Sequence, residues 1–347
     1  MACVHPDLFP RFATDVCLRN FWPPPAHPPL LAVRCFYHPD YTFPLPEEHP
    51  FPMDKFWRSE SMIRAAAPPH LRIQQPDIAS ESALLRVHTA DYLHCIRTGA
   101  LTAAESVKLG LPAGEALLAR SRLEVGGTLA ALHAALTDGV ACNLAGGTHH
   151  AFADRGLGYC VLNDVAIAIR QHHAGHPAAR IAVVDTDAHQ GNGTHGIFAD
   201  DDRVFTYSIH VGKNYPAHKT PGRLDVELPR FVHGADYLEQ LESTLAPALA
   251  DFTPDLVFWI AGADPHEHDR FGQMRLTDAD MAARDRHVLD QLTGLAVPLV
   301  VLYGGGYNRD RVHTARLHAN TVLLAASYAG HASAPPGTCP APASLNR

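Results

Sequence analysis

Seven short apolar runs punctuate the chain, at 31–36, 71–73, 140–144, 181–185, 204–208, 256–261 and 298–303. Longer segments lie between them, at 54–67, 81–86, 90–98, 114–137, 162–173, 235–250, 278–293 and 309–328, and there apolar residues recur on a helical period. Segment 114–137 shows this through Leu117, Leu118, Leu123, Leu129 and Leu132. A strand that is apolar on both faces must be covered on both faces, and helical connections between such strands supply the cover. The pattern therefore predicts an α/β fold, a three-layer sandwich around a mainly parallel sheet. Residues 1–30, rich in proline and aromatics, read as an irregular N-terminal extension; 31–328 read as the folded domain and 329–347 as a loose C-terminal tail.

Polar residues cluster just past the ends of four of these strands. Gly146-Gly-Thr-His-His150 follows the run at 140–144, and Asp185 to Gly193 follows 181–185. Gly262-Ala-Asp264 follows 256–261, and Gly304-Gly-Gly-Tyr307 follows 298–303. Ligands bind at the carboxyl ends of the strands in open parallel sheets, so four separate segments point at one crevice.

The second segment carries the most chemistry. Asp185, Asp187 and His189 stand at alternate positions, which in extended chain share one face. Two buried carboxylates are costly together unless a cation or strong donors compensate them. Asp187, His189 and Asp264 make a three-ligand set that leaves a coordination position for water, the pattern of a catalytic metal site. His149 and His150 offer an imidazole to move a proton, with Asp185 and Asn192 available as hydrogen-bond partners, one for each. The glycines before Tyr307 allow close backbone approach, and its hydroxyl is placed to donate to a carbonyl oxygen as charge develops.

Bulk properties narrow the classes further. The formal net charge is −8 and no basic face is evident, against a nucleic-acid partner. No apolar run reaches the ~18 residues needed to cross a bilayer, and no secretory signal is apparent. The seven cysteines are scattered without a C-x-x-C pair, which fits reduced thiols and a cytoplasmic location. With 24 histidines, no single histidine is informative on its own.

Taken together, the segments resemble the zinc-dependent histone deacetylase family of the arginase/deacetylase superfamily. The resemblance is carried by Gly147-Thr-His-His150, Gly158-Tyr-Cys-Val-Leu-Asn-Asp164, Asp185-Thr-Asp-Ala-His-Gln-Gly-Asn-Gly193, Ala261-Gly-Ala-Asp264 and Gly304-Gly-Gly-Tyr307. Leu45-Pro-Glu-Glu-His-Pro-Phe51 and Asp264-Pro-His-Glu-His-Asp-Arg-Phe-Gly272 look most like the class IV branch and its bacterial relatives. The resemblance implies an eight-stranded sheet, one catalytic Zn2+ on Asp187, His189 and Asp264, His150 as general base and acid beside His149, and Tyr307 as the carbonyl-polarising group. Asp185 would lie behind His149 and Asn192 behind His150. Gly158, Tyr159 and Phe271 fall where family members line an acyl-lysine tunnel, and Phe271 departs from the smaller aliphatic residue common there. A structural K+ is implied around Asp185, Asp187, His189 and Ser208, with another involving Phe198, Asp201 and Val204.

The implied function is hydrolysis of the Nε-acyl-lysine amide in a peptide or protein. Three other readings are open. An acetylpolyamine amidohydrolase would want acids at the tunnel mouth, for which Glu267 and Asp269 are the candidates. A binuclear manganese ureohydrolase needs further Asp ligands where this chain has Gly191 and His266. A metal-binding module without turnover would have no use for a general base. Oligomeric state is not readable from the sequence.

Overall fold

The computed structural model describes residues 32–66 and 68–328; the expectations for 1–30 and 329–347 lie outside the described residues, as does Leu31. Eight strands form one sheet: β1 (Val33–Phe36), β2 (Leu71–Gln74), β3 (Val140–Asn143), β4 (Ile181–Asp185), β5 (Val204–Val211), β6 (Leu224–Leu228), β7 (Leu256–Ile260) and β8 (Leu299–Leu302). Their order is β2-β1-β3-β8-β7-β4-β5-β6, and every neighbouring pair is parallel.

Ten α-helices accompany the strands among the described residues: α1 (Lys55–Ala66), α2 (Glu81–Leu84), α3 (Ala90–Thr98), α4 (Ala103–Leu109), α5 (Glu115–Asp138), α6 (Asp164–Gly175), α7 (Asn192–Ile197), α8 (Gly234–Phe252), α9 (Asp278–Gly294) and α10 (Arg311–Ser327). The strand pleat divides the core in two. Along β7, Val257 and Trp259 join one cluster, with Tyr237 and Leu241 of α8, Val288 of α9 and Val322 of α10. Leu256, Phe258 and Ile260 join the other, with Ala131 and Ala135 of α5 and Val165 and Ile169 of α6. Both sheet faces are thus buried, as the unbroken apolar runs require.

The four strands whose trailing loops carry the polar residues are β3, β8, β7 and β4, and they are contiguous at the centre of the sheet. Neighbouring strands stand about 4.8 Å apart, so the chain brings four loops from distant parts of the sequence to one edge.

Three elements escaped the sequence pattern. Strand β6, Leu-Asp-Val-Glu-Leu, lies at the sheet edge, where exposed Glu227 alternates with buried Val226 and Leu228. A search for unbroken apolar runs passes over such alternation. Helix α4 is mostly exposed and lacks an apolar stripe, but Thr102 and Glu105 form a capping box that marks its start. Helix α7 contains two glycines and is held by burial rather than propensity.

The alternation at Asp185, Asp187 and His189 also has a different origin from the one expected. Only Asp185 belongs to β4; the chain beyond it is a bend. Asp185 Oδ1 accepts the Asp187 N–H at 3.1 Å, and Asp187 Oδ1 accepts the His189 N–H at 3.0 Å. Two successive side-chain-to-backbone bonds, rather than strand pleat, set the three side chains in order.

Trp259 is fully buried at the sheet centre and donates from Nε1 to Thr186 Oγ1 at 3.0 Å, tying β7 to the bend after β4. Trp259→Ala is expected to cost about 3–5 kcal/mol in chemical denaturation. A loss below about 0.5 kcal/mol, the range of surface substitutions, would show that the bend does not need the Trp259 indole.

Candidate active site

Asp187, His189 and Asp264 converge with one ligand atom each inside a 4.8 Å cluster. His189 Nδ1 lies 2.8 Å from Asp264 Oδ2 and 3.1 Å from Asp187 Oδ1. The other ring nitrogen, Nε2, donates to the Phe271 carbonyl at 3.2 Å. With the proton at Nε2, Nδ1 presents a lone pair to two carboxylate oxygens. That arrangement is repulsive unless a positive charge sits among the three atoms. Both carboxylates are fully buried, and burial together with the Asp187 charge pushes the Asp264 carboxyl up to about 7. Two oxygens and one imidazole nitrogen, with the ring oriented by a backbone carbonyl, fit a divalent transition metal.

Backbone completes the cradle. Gly305 donates its N–H to Asp187 Oδ2 at 2.7 Å, and Ala188 donates to Asp264 Oδ1 at 2.9 Å. A Cβ on Gly305 would stand 2.5 Å from Asp264 Oδ2 and 2.7 Å from Asp187 Oδ2, so the glycine is needed for approach.

The two neighbouring histidines are differentiated by their partners. His149 donates from Nδ1 to Asp185 Oδ2 at 2.6 Å. Burial opposes its charge, but Asp185 and Asp187 outweigh that and hold its pKa at about 9. His150 donates from Nδ1 to the Asn192 side-chain carbonyl at 2.8 Å. Burial, with His149 and His189 nearby, drives its pKa well below the ordinary value. His150 is therefore a neutral imidazole with a bare Nε2. Gly191, beside this pair, leaves room for Asp185, since a Cβ there would stand 2.5 Å from Asp185 Oδ2.

Asp164 fixes the loop that carries both histidines. Its carboxylate accepts the N–H of Gly147 at 3.1 Å and of Thr148 at 2.8 Å, and the Thr128 hydroxyl at 2.6 Å.

A pocket of about 310 Å³ opens onto His150, His189 and Tyr307. Gly158, Tyr159 and Phe271 are among the residues that line it. The Phe271 and Tyr307 rings lie 5.3 Å apart and Tyr159 lies 5.8 Å from Tyr307, forming an aromatic wall. Tyr307 is buried, and burial beside Asp187 and Asp264 raises its pKa well above 10, so it keeps its proton.

Several contributors were missed from sequence. Tyr215 faces His150 and His189 with ring centroids 5.0 and 6.1 Å away. It follows β5, and the strand-end rule that found the other four loops would have found this one. Lys55 is buried with Nζ donating to the Gly304 carbonyl at 2.9 Å, close to the Tyr307 ring; a lysine on a helix gave no cue to this.

Asp269, a candidate acid for the tunnel mouth, is engaged otherwise. Its carboxylate accepts the N–H groups of Phe271, Gly272 and Tyr307 at 2.8, 3.0 and 2.5 Å. Glu267 is exposed and does not line the pocket. His266 turns away from the metal cluster toward Asp278 and His313, which leaves the binuclear arrangement without its second set of ligands.

The residues of the potassium expectation divide as well. Asp185 and Ser208 pair in register across β4 and β5, while the Asp201 carboxylate is occupied by Arg170 and Arg203. Asp201 could serve an ion only through its backbone carbonyl.

Replacing the neutral partner of His150 by a charged one tests its assignment. In Asn192→Asp a carboxylate would accept the same Nδ1–H and favour the imidazolium, so the protonation midpoint of His150 should rise by a pH unit or more. Imidazole 15N shifts followed across pH would report it; an unmoved midpoint would show that Nδ1 does not engage this side chain.

Comparison with known proteins agrees with this geometry. Residues 49–323 match the Histone deacetylase domain family. An uncharacterized protein of Picosynechococcus sp. is 41% identical over 276 residues, covering 79% of this chain and 92% of that one. The acetoin utilization protein AcuC of Bacillus subtilis is 31% identical over 78% of this chain and 74% of its own, and histone deacetylase 2 of Arabidopsis thaliana is 29% identical over 85% and 79%. The crystal structure of an HDAC homolog complexed with SAHA superposes with a TM-score of 0.73 at 24% identity, covering 85% of this chain and 84% of that one, and attests the fold. With its central parallel sheet and a family match spanning most of the described residues, the chain belongs to the histone deacetylase family, within the arginase/deacetylase superfamily.

Proposed function

We propose that this protein is a zinc-dependent amidohydrolase that removes acyl groups from lysine side chains of peptides or proteins. The observation that carries this reading is the meeting, at the floor of one aromatic-walled pocket, of a bare His150 Nε2, a protonated Tyr307 and the Asp187–His189–Asp264 donors. Zinc held by those three residues would supply a Lewis acid that lowers the pKa of water and polarises a carbonyl oxygen. His150 takes a proton from the attacking water at Nε2 and returns it to the departing lysine amine. Tyr307 donates its hydroxyl proton in a hydrogen bond to the amide oxygen as negative charge grows there. His149, held positive by Asp185, stands 4.1 Å from the His150 ring and discourages a second imidazolium before water is deprotonated. Tyr159 and Phe271 flank the methylene chain of the substrate.

The pocket's charge favours lysine over polyamine. Lys108 and Arg270 line it and no carboxylate does, whereas a polycation would be drawn by acids. A non-catalytic metal-binding role is disfavoured because it gives no reason to hold His150 neutral against the pocket. The potassium ions implied for the Asp185–Ser208 and Phe198–Val204 regions would brace the loop after β4. A cytoplasmic location is consistent with free thiols at Cys35, Cys95, Cys142 and Cys160; among the described residues, no helix is long and apolar enough to cross a membrane.

The test is a substrate panel of acetyl-lysine peptide, longer acyl-lysine peptide and acetylpolyamine, each with and without chelator. Turnover should be greatest on a lysine substrate and vanish with chelator. Tyr307→Phe should lower kcat about 10²–10³-fold and His150→Ala about 10²–10⁴-fold. Chelator-resistant turnover, or full activity in both variants, would sink the mechanism, and a preference for acetylpolyamine would overturn the substrate assignment.

A further inference from the structure

We propose that His266, Asp278 and His313 form a second site for a divalent transition-metal ion, separate from the Asp187–His189–Asp264 cluster. The donor atoms come from three segments: the loop after β7, the first residue of α9, and the first turn of α10. His266 Nε2 and His313 Nε2 converge on the same oxygen, Asp278 Oδ1, at 3.1 and 2.6 Å. All three donors lie within 4.8 Å of one another. A tetrahedral zinc site with bonds of about 2.0–2.1 Å separates its ligand atoms by about 3.4 Å. The exposed Asp278 side chain can make that adjustment, while His266 is fixed by burial.

Neither Asp278 nor His313 is spent on a helix cap. Thr277 and Asp280 cap α9, leaving Asp278 free, and Asp310 caps α10, leaving His313 free. Arg316 pairs with Asp278 through the other oxygen, Oδ2, at 3.3 Å, so Oδ1 remains available. His266 Nδ1 accepts the His268 N–H at 3.2 Å, which places the ring proton on Nε2, facing Asp278; the Asn308 amide lies 3.5 Å from the same Nδ1. An ion at Nε2 would move that proton to Nδ1 at the expense of the His268 contact, and the Asn308 amide, turned with its carbonyl toward the ring, would accept it there. Asn308 Oδ1 is buried and has no hydrogen-bond partner as placed. His268 adds a third imidazole at the rim, its ring 5.2 Å from His266 and 6.4 Å from His313. Two imidazoles and one carboxylate, with a further imidazole near, are the ligand set of zinc and its neighbours rather than of calcium or magnesium.

An ion here would tie the start of the 264–272 loop to the first turns of α9 and α10. That loop carries Asp264 at one end and Phe271 at the other.

The proposal stands independently of the enzymatic reading, and zinc counting tests it. The full chain is dialysed against zinc and its bound ions are counted by native mass spectrometry, with thermal melting run in parallel. Wild type should hold two zinc ions, and His313→Ala and Asp278→Asn should each hold one. The zinc-dependent rise in Tm should shrink in both, while their melting in chelator should match wild type. Asp264→Asn should lose the other ion and keep this one. Should His313→Ala melt early in chelator, Asp278→Asn, at an exposed helix start, decides alone. His313→Ala and Asp278→Asn chains that hold as many ions as wild type, or an Asp264→Asn chain that holds none, overturn the proposal.

Discussion

Two carboxylates, Asp187 and Asp264, are sealed from water within a few ångströms of each other, and much of the centre of this molecule is arranged around that fact. Desolvated like charges cannot both ionise cheaply. The fold answers with donors and cations. Gly305 and Ala188 contribute N–H groups, His149 stays positive, and Lys55 and Arg284 are both buried behind the cluster. Arg284 donates to the Gly262 carbonyl at 2.6 Å, holding the strand end that delivers Asp264. The remaining positive charge is what a metal ion would bring. Burying ionised groups is weak as a source of stability, so this part of the chain is better understood as a site the rest of the fold supports.

The support is topological before it is electrostatic. The polar loops arise from strands widely separated in sequence, yet β3, β8, β7 and β4 lie side by side. Each loop then uses short local bonds to aim its side chains. Asp185 and Asp187 order the bend after β4, Asp164 gathers the Gly147–Thr148 backbone, and Asp269 gathers the turn before Gly272. Four aspartates here accept backbone N–H groups, and their role in shaping loops is as important as their charge.

How much of this was legible in the sequence follows from which signals are local. Continuous apolar strands, the glycine-flanked polar sets and the three donor residues could be read directly, because each is a short pattern with a physical cause. The eighth strand could not be read as an apolar run, since Leu224–Leu228 alternates at an edge. The pocket lining was partly hidden for a different reason. Lys55, Lys108 and Tyr215 reach the site from segments with no polar motif of their own, through packing that only the assembled sheet determines. Asp269 was visible as an acid, but its three backbone partners are set by a turn geometry that residue type does not reveal. The pairing of Asp185 with His149 and of Asn192 with His150 was implied by the family resemblance, while residue spacing alone offered only one partner for each.

The same Asp269 carboxylate grips the backbone N–H groups of both Phe271 and Tyr307, two residues that line the pocket. Bore and chemistry are therefore mechanically linked. A chain that widened the pocket by shifting the Phe271 loop would move the Tyr307 backbone with it. More room in the pocket has to come from trimming side chains in place, or from Tyr159 and Tyr215, which that carboxylate does not hold.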